Sequence, residues 1–229
     1  RYTGKLESLA CLVEDYVYDD INTVPKNHIY AGLNNLFGEV TWFYPGSGAA
    51  SNNRSVTYNY MDSTAERPIW TTSSLSRSTW SDSHIFGKPH ATEYDSDATS
   101  DATVGNTDGV TTYYEHETGT NQIKAGATTA IAASIQSGDF DLDQRGLAGD
   151  GEFMMKIRRV IPDFLSQTGA SRVTLNLKNY PTDTEASSSL GPFEVDSDTT
   201  KIDTRARARA IALKVDNTSI TQHWKLGTF

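Results

Sequence analysis

Between residues 36 and 61, apolar and polar positions alternate in two short runs, Glu39–Tyr44 and residues 55–60, separated by a loop of Pro, Gly, Ser, Ala and Asn. Almost every residue in the two runs is β-branched or aromatic, types that pack well on a pleated surface whose successive side chains point to opposite faces. The pattern predicts a β-hairpin. Val40, Trp42 and Tyr44 share one face of its first strand, and Val56, Tyr58 and Tyr60 share one face of the second. These six residues are the candidate core of the element, each facing pair adding about 0.2–1 kcal/mol over alanine. The connection 45–54 is expected to be an exposed loop.

Similar short runs recur along the chain. Cys11-Leu12-Val13 and Tyr16-Val17-Tyr18 read as strands bracketing Glu14-Asp15, and residues 29–31, 69–72, 78–81, 84–86 and 111–117 read as further strands bounded by turn formers. The alanine- and threonine-rich run 126–134 is expected to be strand, and 152–164 one long strand with Pro162 at a ladder edge or bulge. Residues 171–178 alternate throughout, with Val173, Leu175 and Leu177 inward. Arg205 to Leu213 alternates Arg with Ala before turning apolar. A second hairpin is expected from there to 220–226 across Asp216-Asn217-Thr218-Ser219. Residues 94–110 and 182–200 read as long polar surface loops. The expected fold class is all-β, since short strands at steady spacing indicate a sandwich, barrel or propeller. The small-residue segment near 118–128 divides an aromatic-rich first part, 1–126, from a more aliphatic second part, 127–229.

Composition supports strands and turns: Ser and Thr are abundant, 11 Tyr outnumber 8 Phe, and there are 3 Met. Mean hydropathy is −0.50, and no apolar run approaches the roughly 20 residues of a membrane-spanning helix, so no membrane span is expected. The single cysteine, Cys11, excludes an internal disulfide framework and a thiolate zinc cluster, and reads as a small core residue. A net charge of −9 argues against a surface that grips nucleic acid through many phosphates, and suits one that DNA passes without sticking. The chain opens Arg1-Tyr2-Thr3, without an initiator Met or cleavable apolar segment, and stops within a strand-like pattern at 226–229. It is expected to be part of a longer polypeptide.

Candidate chemistry is sparse. Asp139, Asp141 and Asp143 stand at positions 1, 3 and 5 of a calcium-type loop, but positions 6 and 12 are Gln144 and Asp150 where such a loop has Gly and Glu. One exposed strand face is the simpler reading, and no metal or cofactor is expected. His28, His84, His90, His116 and His223 show no ligand spacing, and no nucleophile elbow or phosphate-binding loop occurs. Glu39 with Glu115 is a conceivable glycosidase pair, defined by a separation of about 5–9.5 Å in space and not by sequence. No catalytic residue is assigned, and an enzyme is not expected. The sharpest local signal is Arg205, Arg207 and Arg209. On a strand they aim three guanidinium groups out of one face, suited to ion pairing, a subunit interface or phosphate contacts.

Several segments match one family: Val13-Glu14-Asp15-Tyr16-Val17 followed by Asp19-Asp20-Ile21-Asn22, Tyr30-Ala31-Gly32-Leu33-Asn34, Glu39-Val40-Thr41-Trp42-Phe43-Tyr44-Pro45, Val56-Thr57-Tyr58-Asn59-Tyr60, Tyr114-Glu115-His116-Glu117-Thr118-Gly119 and Ser137-Gly138-Asp139-Phe140-Asp141. With Ile157-Arg158-Arg159-Val160-Ile161-Pro162-Asp163 and Thr204-Arg205-Ala206-Arg207-Ala208-Arg209-Ala210, the chain resembles, over nearly its whole length, the tail nozzle proteins of short-tailed bacteriophages, also called tail tubular protein B or packaged DNA stabilisation protein. The resemblance implies β-propeller blades followed by a β-sandwich-like region that closes the propeller or stands alone. It implies a virion tail protein in a ring of six below the tail adaptor protein, near tail fibres or spikes and the host cell surface, with viral DNA passing through its lumen. The acidic stretch 95–108 is expanded relative to the family, and the chain ends before the basic tail expected there. The readings from other classes are a host-envelope carbohydrate-binding or carbohydrate-cleaving β domain, and an adhesin acting through 94–110 or 182–200.

Overall fold

In the computed structural model, residues 4, 8–95, 110–124, 126–142, 151–180 and 182–227 are described. Most of residues 94–110, together with Asp143, Gln144 and Asp150, lie outside them. The protein is all-β, built of several antiparallel sheets, none of them closed. It divides into two units, residues 1–118 and 119–229; the sequence reading placed the division at 126.

The first unit begins with a helix where two strands were expected. α1 (Glu14–Asp20) has Glu14 and Asp15 in its first turn, where carboxylates favour the helix dipole, and amides of Val17 and Ile21 donate to the carbonyls of Val13 and Val17. The apolar spacing that reads as two strands is instead the i, i+4 face Val13, Val17 and Ile21. Four strands follow as an up-and-down meander: β1 (Tyr30–Asn34), β2 (Glu39–Tyr44), β3 (Arg54–Asn59) and β4 (Ile69–Ser73), neighbours in that order. The β2–β3 hairpin has the expected register, with Val40 opposite Tyr58 and Trp42 opposite Val56. A three-stranded meander comes next: β5 (Thr79–Ser81), β6 (His90–Asp95) and β7 (Val110–Glu115). Residues 84–86 are a turn and not a strand, with Ile85 and Phe86 exposed, and the strand lies a few residues later.

Burial within the β2–β3 hairpin differs from the reading of one aromatic face. Tyr44 and Val56 are buried, Val40, Trp42 and Tyr58 are half-buried, and Tyr60 is exposed. The deepest side chain is Phe43, on the opposite face and fully buried, with its ring 5.1 Å from Tyr30 and 5.5 Å from Trp80. The Trp42 face is a looser aromatic row. Trp70 lies 6.0 Å from Trp42 and 4.8 Å from Tyr58, and its indole N–H donates to the carbonyl of Ala10. The connection 45–54 is partly interior. Pro45, Gly46 and Asn52 are buried, because Asn22 binds the carbonyls of Pro45 and Ala49 and Asp20 pairs with Arg54 at 3.1 Å.

The second unit starts with the hairpin β8 (Asn121–Lys124) and β9 (Ala127–Ala130), followed by β10 (Ala133–Gln136). The expected long strand breaks at Pro162 into β11 (Met155–Val160) and β12 (Phe164–Thr168), since proline cannot donate to a ladder. Then come β13 (Ser171–Lys178), β14 (Ser188–Val195), β15 (Ile202–Ala208), β16 (Ala210–Asn217) and β17 (His223–Leu226). β14 lies inside the segment read as a polar loop; its strand character is carried by few apolar residues. The largest sheet has the order β10-β16-β13-β14, while β11 pairs with β15 and β12 with β17. The predicted hairpin across 216–219 therefore does not form: β16 joins β10 and β13, and β17 joins β12. Side chains from all these sheets share a core. Met155, Leu175, Ala206, Ala208 and Ile211 form one cluster, and Val173, Val195, Ile202 and Val215 another.

The deepest positions define the stability of each unit. Phe43→Ala is expected to destabilise the first unit by about 3–5 kcal/mol and Leu175→Ala the second by about 2–5 kcal/mol, in line with large-to-small changes at well-packed sites. Chemical denaturation followed by tryptophan fluorescence and by far-UV circular dichroism checks both values.

Candidate functional site

The most constrained chemistry in the first unit surrounds Arg77, in the Ser-rich connection before β5 and only 4% exposed. Its Nε donates to His116 Nε2 at 2.9 Å, its Nη1 lies 3.8 Å from Glu93 Oε2, and its guanidinium carbon sits 4.0 Å from the centre of the Tyr114 ring. Tyr114 donates its hydroxyl to the same Glu93 oxygen at 2.7 Å, and Asn52 Nδ2 donates to the Arg77 carbonyl at 3.2 Å. The β2–β3 connection, the segment before β5, β6, and the end of β7 thus converge on one cation. Burial pulls Arg77 down from the usual guanidinium range, and Tyr114, Glu93 and Tyr30 act against that shift by favouring the charged form. An imidazole that accepts from Arg77 Nε must carry its proton on Nδ1. His116 is accordingly held neutral, its pKa lowered to about 4 by burial and then by the charges of Arg77 and His90. Trp80 covers the imidazole at 4.7 Å and donates its indole N–H to the Leu33 carbonyl at 2.7 Å.

Beside this centre is a cleft of about 410 Å3 lined by His28, Tyr30, Asn52, Ser78 and their neighbours. Two buried oxygens there, the Tyr30 hydroxyl and Asn52 Oδ1, have no hydrogen-bond partner among the described residues. Burial raises the Tyr30 phenol far above its ordinary range, so it is a neutral hydroxyl.

The carboxylates pair differently from the sequence reading. Glu39 is raised from the usual carboxyl range by burial and then by Glu117, whereas Glu115 lies 3.7 Å from Lys88. Glu117 accepts from Asn34 Nδ2 at 3.1 Å and has a positive φ of 57° at the end of β7. The acidic neighbour of Glu39 is thus Glu117, two residues beyond the expected partner. In the second unit, Asp139 binds Lys178 Nζ at 2.6 Å and Asp141 accepts the Gly151 amide at 2.8 Å. Two of the three candidate cation ligands are already engaged, the third lies outside the described residues, and no cluster of metal-ligating side chains occurs among the described ones.

The Arg-Ala alternation is realised on β15. Ala206 and Ala208 are buried while Arg205 and Arg207 are exposed. Arg209 lies just past the strand, where its guanidinium donates to the carbonyls of Gly151 and Glu152 at 2.9 and 3.0 Å. It fixes a loop and is separate in role from the other two. The paired strand β11 adds exposed Lys156 and Arg158, with Lys156 directly opposite Arg207. Sequence reasoning found the arginines because the strand period is 2. It missed Lys156 and Arg158, since pairing with a strand some 50 residues away leaves no local signal, and it missed Arg77 because one Arg among serines has no periodicity.

No protein-family model matches the chain, and neither does any curated protein. None of the described helices is long and apolar enough to cross a membrane.

The unfolded chain binds a proton on histidine near pH 6.5 while folded His116 resists it down to about 4, so stability is fully present above 6.5 and is lost as pH falls through that window. With solvent screening of the part of the ring that water reaches, the loss is on the order of 2 kcal/mol at pH 4.5, and His116→Gln should flatten that part of a melting-temperature profile. Gly32 is needed for close approach, because a Cβ there would lie 2.6 Å from Trp80 Cγ. Gly32→Ala should therefore cost about 1–3 kcal/mol in a denaturant titration, through displacement of an indole held on several sides.

Proposed function

We propose that this chain is part of a tail nozzle subunit of a short-tailed bacteriophage, a structural virion protein forming a ring of six that extends the DNA ejection channel below the adaptor. The observation that carries the reading is the strand order of the first unit, a four-stranded up-and-down meander of the kind that makes one propeller blade, followed by a three-stranded meander one strand short of a second blade. It coincides with the segments whose residues resemble that family, and the layered core of the second unit fits the sandwich-like region that follows the blades. Charge supports it as well. Residues 1–118 hold 7 Lys and Arg against 16 Asp and Glu, while residues 119–229 hold 13 against 13, so the whole net charge of −9 belongs to the blade-like unit. An acidic wall lets a DNA polyanion slide without counterion release. In this reading the protein is no enzyme and takes no cofactor; its partners are the adaptor, the fibres or spikes, and passing DNA.

Electron microscopy of the full-length protein mixed with its adaptor tests this. Six-fold rings with a central channel are expected, and monomers alone would contradict it.

One observation favours a second reading, a carbohydrate-cleaving β domain: the raised carboxyl of Glu39 beside Glu117. It predicts reducing ends released from host polysaccharide and lost in Glu39→Gln and Glu117→Gln. Absence of release removes the cleavage reading.

A further inference from the structure

The outer face of the β11–β15 ribbon concentrates positive charge. Lys156, Arg158, Arg205 and Arg207 are all exposed, and none has a hydrogen-bond or ion-pair partner there. Their neighbours are satisfied. Arg159 binds Asp203 at 3.0 Å, Lys201 binds the other oxygen of Asp203 at 3.0 Å, and Arg209 is committed to backbone carbonyls. Asp203, whose carboxyl is held low by hydrogen bonds from Lys201 and Arg159, is the anion on this ribbon and faces neither Arg205 nor Arg207 in the register. Like charges directly opposite on an antiparallel pair are destabilising, and Lys156 stands opposite Arg207. The buried faces of both strands are made of Met155, Ile157, Ala206 and Ala208 and do not require basic residues on the outside. The ribbon is thus an unpartnered cationic face in a unit that is neutral only with these four cations counted.

We propose that this face docks on the acidic first unit of a second copy of the chain, joining copies head to tail. The proposal rests on the ring-forming reading above and names the surface that closes the ring. Charge complementarity selects the occupant. The same polypeptide carries an excess of 9 carboxylates, all in residues 1–118, and α1 displays Glu14, Asp15 and Asp19 on its exposed side without ion-pair partners among the described residues. Exposed Leu12, Tyr16 and Tyr18 lie among them, supplying the apolar and aromatic area that protein interfaces favour next to arginine. A free polyanion must instead approach a chain of net charge −9. A contact between two different surfaces is heterologous, and such contacts generate closed rings when the rotation closes.

The test is a charge swap in the full-length protein, read by native mass spectrometry and analytical ultracentrifugation, with melting temperature and circular dichroism as checks on folding. Wild-type assemblies should dissociate as salt is raised. Arg205→Glu with Arg207→Glu should weaken association at least tenfold, and Arg205→Gln with Arg207→Gln by less. Glu14→Lys, Asp15→Lys and Asp19→Lys together should do the same as the arginine reversal, and combining both sets should restore assembly. Assemblies untouched by either set would overturn this interface while leaving the ring itself standing, whereas a wild type that is monomeric in every condition overturns both. Failure of the combined variant to recover excludes the acidic unit as the occupant. A ribbon reversal that abolishes retention of fluorescent duplex DNA without changing the assembly mass assigns the face to a polyanion and also overturns the proposal.

Discussion

A guanidinium buried beside a phenol and an imidazole is stable only while every face of it is occupied, because an unpaired charge in a low-dielectric interior costs several kcal/mol. Arg77 meets this requirement chiefly with residues of β6, β7 and the turn after β7. Its Nε holds His116 just after β7 and its charge rests between Glu93 of β6 and the ring of Tyr114 on β7, so the second meander closes around the guanidinium, while Asn52 of the β2–β3 connection binds the backbone carbonyl of the same residue. The two meanders therefore meet at residue 77, one at its side chain and the other at its main chain. The apolar counterpart is Trp80, packed between Phe43 and His116 above the bare backbone of Gly32. Polar centre and aromatic pin act on the same two meanders.

The second unit depends on alternation and not on a single buried charge. β13, β15 and β16 place Val173, Leu175, Ala206, Ala208, Ile211 and Val215 inward at every second position, and the small alanines of β15 let its backbone lie close to the core. The same period forces Arg205 and Arg207 outward. The division of charge between units leaves all of the acidic excess in residues 1–118 and the exposed basic ribbon in residues 119–229.

What could be read from the sequence was whatever has a short period. The β2–β3 hairpin, β13 and the Arg-Ala run of β15 follow from alternation alone, and the break at Pro162 was marked by its residue type. Three features escaped for definite reasons. The stretch 13–21 supports a two-strand pattern and an i, i+4 face equally, and first-turn carboxylates with backbone capping decided for α1. β14 holds few apolar residues and is a strand because β13 offers it a ladder. The 216–219 turn had hairpin chemistry, but β16 was already flanked by β10 and β13, leaving β17 to pair with β12. Of the site, the arginine stripe was visible, whereas Arg77, His116 and the Glu39–Glu117 approach are products of tertiary contact. The most buried face of β2 was misjudged because Phe43 is flanked by larger-looking aromatics; tertiary contact with Tyr30 and Trp80 determined which side was interior.

Native-state hydrogen exchange on Arg77→Met tests most directly whether the two meanders of the first unit form one cooperative body around residue 77. Methionine fills similar volume but leaves Glu93 and His116 without their cation, which loosens the segment whose backbone carbonyl Asn52 holds. The account predicts that amides of β2 and β3 lose protection together with those of β6 and β7, as expected of one cooperative unit. Loss confined to residues around 77, with β2 and β3 as protected as before, would contradict it.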